Sequence, residues 1–162
     1  MRKTILVTGA GSGFGLGLVN ALHALNHHVV AVCQFDEQAS QLSADGVESM
    51  VVDITSAKSV SQLSSLKPDV LVNNAGRGQL GQIATVKLAD VQDVFNVNVF
   101  GTLRVTQAVL PSMRERGSGR IIIVSSIAGI FSGLLSGPYS MTKHALEAVS
   151  YTHLTLPTIC SV

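Results

Sequence analysis

The sequence predicts an α/β protein built on a doubly wound parallel sheet. Three observations predict it. Short β-branched runs alternate with longer amphipathic stretches, a Gly-rich turn follows the first run, and charged residues are only 13% of a chain that is 46% apolar. Low charge with a high apolar share suits parallel strands buried on both faces. The 162 residues give room for one domain with a sizeable core.

The runs "TILVT" (4–8), "VVAVC" (29–33), "VESMVV" (47–52), "DVLVN" (69–73) and "RIIIVSS" (120–126) read as strands. Helical patterns fall near 13–26, 37–44, 55–66 and 88–116, and a further helix carries "YSMTKHALEA" from Tyr139 to Ala148. Right-handed crossovers then place helices on both faces of one sheet, a Rossmann-like arrangement. Pro111, inside the 88–116 pattern, predicts a kink or a tightened last turn.

Composition excludes several classes of function. Eleven Lys plus Arg against ten Asp plus Glu leave a net charge of +1 and no basic stripe for nucleic acid. Arg114, Arg116 and Arg120 are interrupted by Glu115 and two glycines and read as a solvated helix end. The N-terminal apolar run enters a turn rather than a cleavage site, so a strand is expected there and not a signal peptide. No apolar stretch reaches membrane-span length, and a cytoplasmic protein is expected. Cys33 and Cys160 belong to no motif, and His23 and His27 lack a third ligand, so neither disulfide nor metal is expected.

The chemistry begins at "TGAGSGFG", Thr8 to Gly15. Gly9, Gly11, Gly13 and Gly15, with Ser12 and Phe14 between them, permit a tight turn, close approach to a pyrophosphate, and a helix whose first amides face that anion. A plain tight βα connection would have the same composition. Further along come "VVDIT" with Asp53, "NNAG" (73–76), Asn98, "IVSSIAG" with Ser126, and "YSMTK" with Tyr139 and Lys143.

Taken in this order, the motifs resemble the short-chain dehydrogenase/reductase family from residue 3 to about 148. The match is T-G-x-x-x-G-x-G at Thr8, Gly9, Gly13 and Gly15, then N-N-A-G, Asn98, Ser126, and Y-x-x-x-K at Tyr139 and Lys143. The resemblance implies an NAD(P)-dependent oxidoreductase that interconverts a secondary alcohol and a ketone. It implies catalytic Asn98, Ser126, Tyr139 and Lys143, with Asn98 holding a relay water and Lys143 the ribose hydroxyls. Cofactor contacts are implied at Gly9, Gly11, Ser12, Gly13, Phe14, Gly15, Gln34, Asp53, Ile54, Asn74, Ala75 and Gly76, besides Tyr139 and Lys143. Ser126 is preferred to Ser125 because its spacing to Tyr139 matches the family. Ser125 then reads as a strand-end residue.

Elementary chemistry supports these roles. Tyr139 and Lys143 are one helical turn apart on one face, so an ammonium can stand near the phenol. A free phenol ionises near pH ~10, and a nearby cation favours phenolate. A serine at a strand's carboxyl end can hydrogen-bond a substrate oxygen where charge develops.

NAD-preferring relatives commonly carry an acid at the end of the second strand, here Cys33. NADP-preferring relatives use Arg or Lys beside it or before the second loop glycine, here Gln34 and Ser12. With no cation for a 2′-phosphate the pattern leans to NAD, with Asp36 as a displaced ribose partner. Asp53 either lies with Ile54 against the adenine or caps a helix together with Thr55.

Substrate selection is not legible, although "GIFSGLLSGP" (129–138) predicts an apolar pocket wall. The expected partner is a small apolar alcohol or carbonyl compound, and the full-length parent is expected to form a homo-oligomer. The competing reading is a non-enzymatic dinucleotide-binding or sensor protein on the same fold.

Residues 1–148 read as the dinucleotide-binding domain and 149–162 as a non-native tail. "VSYTHLTLPT" reverse-translates into a segment resembling the read-through of a transposon-based sequencing adapter. Family members continue with further strands, so the sheet is expected to be incomplete, with 120–126 as a bare apolar edge that favours aggregation and leaves this chain inactive.

Overall fold

The computed structural model describes residues 1–150 and the backbone of 151 and 159–161. Its strands are β1 (Thr4–Thr8), β2 (His28–Cys33), β3 (Glu48–Val51), β4 (Val70–Asn73), β5 (Arg120–Ile123) and β6 (Ile159–Ser161). Every pairing is parallel, in the order β3-β2-β1-β4-β5-β6. From β1, strands β2 and β3 step one way and β4, β5 and β6 the other way. The strand order therefore reverses between β1 and β4, where open α/β sheets leave a crevice at their carboxyl ends.

Alternation along the strands fills two cores. On one face Leu6, Leu71, Ile121 and Ile123 pack with Val105, Val109 and Met113 of α5 (Thr102–Arg116) and with Leu146 of α6 (Gly137–Tyr151). On the other, Ile5, Val7, Val29, Ala31 and Val72 pack with Val19 of α1 (Gly13–Ala24) and Leu42 of α2 (Asp36–Ala44).

The helical pattern expected over 55–66 divides into α3 (Ala57–Val60) and a 3₁₀ turn, Ser61–Ser65. Its serines explain the tightening: Ser61 Oγ donates to the Lys58 carbonyl at 2.8 Å and Ser65 Oγ to the Gln62 carbonyl at 3.3 Å, in competition with the regular backbone ladder.

The 88–116 pattern is continuously helical but changes gauge. α4 (Leu88–Phe95) passes through a π turn, Asn96–Gly101, into α5. The irregularity falls around Asn98 rather than at Pro111, through which α5 runs on. Pro111 and Gln107 both lie on the exposed face, where water can serve the Gln107 carbonyl that Pro111 leaves without a donor. Gly117 at φ 65° closes the helix, with Gly117 N donating to Arg114 O and Ser118 N to Met113 O, both at 3.1 Å, a Schellman ending.

Two expectations for the C-terminal end need correction. The β5 edge is not bare: β6 pairs with it over Ile121 to Ile123 and satisfies backbone groups that an edge would expose. α6 also runs past 148 to Tyr151, because Val149 packs against the same core as Leu146. Tertiary burial outweighs the modest helix propensity of the residues there. Residues 152–158 and 162, within the expected tail, and the side chains of Tyr151, Ile159, Cys160 and Ser161 lie outside what is described. No described helix is long and apolar enough to cross a membrane.

Candidate functional site

The Gly-rich loop is built around close backbone approach. Gly9 takes φ 64°, and a Cβ there would stand 2.8 Å from Ala75 Cα. A Cβ on Gly15 would overlap the Gly9 carbonyl and the Asn74 amide nitrogen, so α1 starts tight against the turn. Gly13 has open space before it, on the side from which a ligand would approach.

Two side chains tie this loop to the end of β4. Thr8 Oγ1, 1% exposed, accepts from the backbone N–H groups of Asn74 and Ala75 at 3.1 Å each. Asn74 Nδ2 donates back to the carbonyls of Thr8 and Gly9 at 3.0 and 3.2 Å. Thr8 and the N-N-A-G segment therefore hold the crevice open as one unit.

The crevice is a cleft of about 410 Å³, within the usual range for small-molecule sites. Gly9, Gly11, Ser12, Gly13, Phe14 and Gln34 line it on the loop side. Asp53, Ile54, Asn74, Ala75 and Gly76 line the rest. Of the expected cofactor residues, Gly15, Tyr139 and Lys143 stand outside it, Gly15 because it is packed beneath Gly9. A dinucleotide fits this donor set, with glycine backbone for a pyrophosphate and Val32, Val52 and Ile54 as apolar wall.

Asp53 is partly committed. Its Oδ1 accepts from Thr55 N at 2.8 Å and Thr55 Oγ1 at 2.7 Å, while the true cap of α3 is Ser56, which accepts from Ser59 N at 3.3 Å. Cys33 ends β2 at the cleft wall, and burial pushes its thiol pKa up, so a neutral group stands there. Asp36 is not among the cleft-lining residues. Gln38 and Arg77, unforeseen from the sequence, are. Arg77 directly follows the N-N-A-G motif, a signal that could have found it; Gln38 had none.

Tyr139 and Lys143 on α6, Ser126 after β5 and Asn98 in the π turn are not among the cleft-lining residues. Lys143 is 5% exposed; its Nζ donates to the Val124 carbonyl at 2.9 Å and lies 5.7 Å from the centre of the Tyr139 ring. Burial lowers its pKa, and Glu147 one turn on pulls it partly back. Ser126 Oγ accepts from Ala128 N at 3.1 Å, which caps a short 3₁₀ turn and leaves the hydroxyl proton unspent there. Ser125 Oγ is buried with no hydrogen-bond partner among the described residues.

Asn98, fully buried in the π turn, accepts from Arg77 N at 2.8 Å and donates to Arg77 O and Thr142 Oγ1 at 3.0 Å each. Thr102 Oγ1 takes its main-chain carbonyl at 2.8 Å. Asn98 thus joins the cleft wall at Arg77 to the helix that carries Tyr139 and Lys143.

A family model described as short chain dehydrogenase matches residues 3–154. The uncharacterised oxidoreductase YbbO of Escherichia coli strain K12 is 34% identical over 157 residues, covering 93% of this chain and 58% of its own length. Human retinol dehydrogenase 8 is 36% identical over 158 residues, covering 90% of this chain and 51% of its own. Among solved structures, a closed serine dehydrogenase complexed with NADP+ superposes with a TM-score of 0.88 at 29% identity, covering 92% of this chain and 64% of that one. The chain thus spans between about half and two thirds of these relatives.

Proposed function

Since the chain belongs to the short chain dehydrogenase family, we propose that the full-length protein is an NAD(P)-dependent oxidoreductase interconverting a secondary alcohol and a ketone. The observation that carries this reading is the buried Lys143, held by the Val124 carbonyl with its ammonium 5.7 Å from the Tyr139 ring. A cation so placed favours negative charge on a neighbouring phenolic oxygen, which gives and takes a proton at the substrate oxygen. Ser126, its oxygen fixed by Ala128 N, turns its proton to that same oxygen. Asn98 ties the cleft wall to α6 and keeps the two halves in register. A bound NAD or NADP, held by the Gly9–Gly13 loop and the wall at Asp53 and Ile54, supplies the hydride donor or acceptor.

The substrate side is apolar in this proposal. Ile130, Phe131, Leu134 and Met141 are exposed along the approach to α6 and at its start. A retinol dehydrogenase among the relatives is consistent with an extended apolar alcohol. The parent protein is proposed to act in the cytoplasm as a homo-oligomer. Residues 149–162 are proposed to be translated adapter, and this chain to lack turnover. Genomic coding sequence that continues unbroken through "YTHLTLPT" would overturn the adapter assignment.

The test is Tyr139→Phe in the full-length protein. Turnover is expected to fall at least ~100-fold with dinucleotide affinity kept. A protein that turns over no carbonyl or alcohol substrate before the substitution, yet binds dinucleotide, would be a sensor instead.

A further inference from the structure

The cleft wall around Cys33, where an acid or a cation would read the adenine ribose, is instead crossed by a side chain from α2. Gln38 Oε1 accepts from Gln34 N at 3.3 Å, which fixes the carboxamide over the β2–α2 turn. The same side chain lies flat on Gly11: a Cβ there would overlap Gln38 Cβ, Cδ and Oε1. Gln38 therefore bridges the two segments that frame the cleft, the Gly-rich loop and the end of β2, and it lines the cleft. With Oε1 turned to Gln34 N, the Nε2 hydrogens are the donors that Gln38 can offer a ligand.

We propose that Gln38 is the residue of this cleft that meets the 2′ position of the adenine ribose. The inference rests on the dinucleotide reading of the cleft. A neutral N–H donor serves a hydroxyl oxygen as readily as a phosphate oxygen, so it discriminates weakly by itself. The surroundings set the balance: Asp36 and Glu37 occupy the first turn of α2, and among the described residues the one cationic side chain lining the cleft, Arg77, follows Gly76 on the β4 side. That field disfavours an added phosphate dianion, and the chain prefers the cofactor lacking it by a modest factor.

Two opposite substitutions test this in the 162-residue chain by titrating NADH and NADPH fluorescence, with circular dichroism to check folding. Gln38→Glu keeps an oxygen for Gln34 N–H and replaces the donor with a carboxylate; the NADH-to-NADPH affinity ratio is expected to rise about tenfold. Gln38→Arg is expected to move the ratio about tenfold the other way. Folded variants that both leave the ratio within about twofold of the parent's overturn the role of Gln38 while the cofactor reading stands. Failure of the unsubstituted chain to bind either dinucleotide overturns both. Should one variant not fold, the other decides by the direction of its shift.

Discussion

The Lys143 ammonium is bound to the Val124 carbonyl at 2.9 Å and stands 5.7 Å from the centre of the Tyr139 ring, one turn earlier on the same helix. One buried cation thus fastens α6 to the end of β5 and faces the phenol. Its burial has a measurable consequence. The folded-state pKa is lowered beneath the ordinary 10.5, so the unfolded chain holds that proton more tightly. Stability is expected to rise as pH climbs through the lowered value and to level off above 10.5, where both states are neutral. Lys143→Met is expected to flatten this rise. Urea midpoints of both proteins across that window check it; parallel curves would refute it.

Gly15→Ala is expected to destabilise the chain by about 1–3 kcal/mol, because the new methyl must displace the Gly9 carbonyl and the Asn74 amide together. Dinucleotide binding should weaken with it, since the same two groups shape the loop. Gly17→Ala serves as control: nothing lies within 4 Å of its added Cβ, and a small gain from helix propensity is expected. Thermal unfolding of the two variants gives the comparison.

Thr8→Val keeps shape and removes the hydroxyl that two backbone N–H groups share. Asn74 N–H keeps the Val72 carbonyl at 3.1 Å, whereas stranding Ala75 N–H costs about 1–3 kcal/mol. Hydrogen exchange at Ala75 is expected to accelerate in the variant; unchanged protection there would show that the tether is dispensable.

The strands were legible from the sequence because parallel strands buried on both faces demand unbroken β-branched runs. Val29 to Cys33 and Val70 to Asn73 leave no other reading. Motif residues were legible for a related reason, since a glycine loop and a Tyr–Lys pair at helical spacing are local patterns. Gln38 was not. Its importance comes from where α2 lies relative to Gly11, a tertiary fact with no local signature. The π turn around Asn98 was hidden too, because an extra residue within a helix leaves the apolar spacing nearly intact. β6 escaped for want of length: a strand of three residues pairs through backbone, which any sequence supplies.

Asn98→Ala is expected to remove the acceptor of Arg77 N–H, at a cost of about 1 kcal/mol, and to leave Thr142 Oγ1 with its bond to the Tyr139 carbonyl alone. In the full-length protein, the proposed role predicts lost turnover with cofactor affinity largely kept. Asn98→Asp, which still accepts from Arg77 N, should recover part of the stability. Calorimetry alongside steady-state kinetics separates the two effects.

The π turn at Asn96–Gly101 also sets a phase. Each helical residue advances the direction of side chains by about 100°. Deleting one residue there would let an ordinary α-helix run from Leu88 to Arg116, yet it would rotate everything before the cut by that angle against everything after it. Either α4 would present a different stripe to α6, or the Asn98 amide would swing off Arg77. The helix is irregular because two surfaces, one packed on the sheet and one facing α6, have to be timed against each other on a single rod.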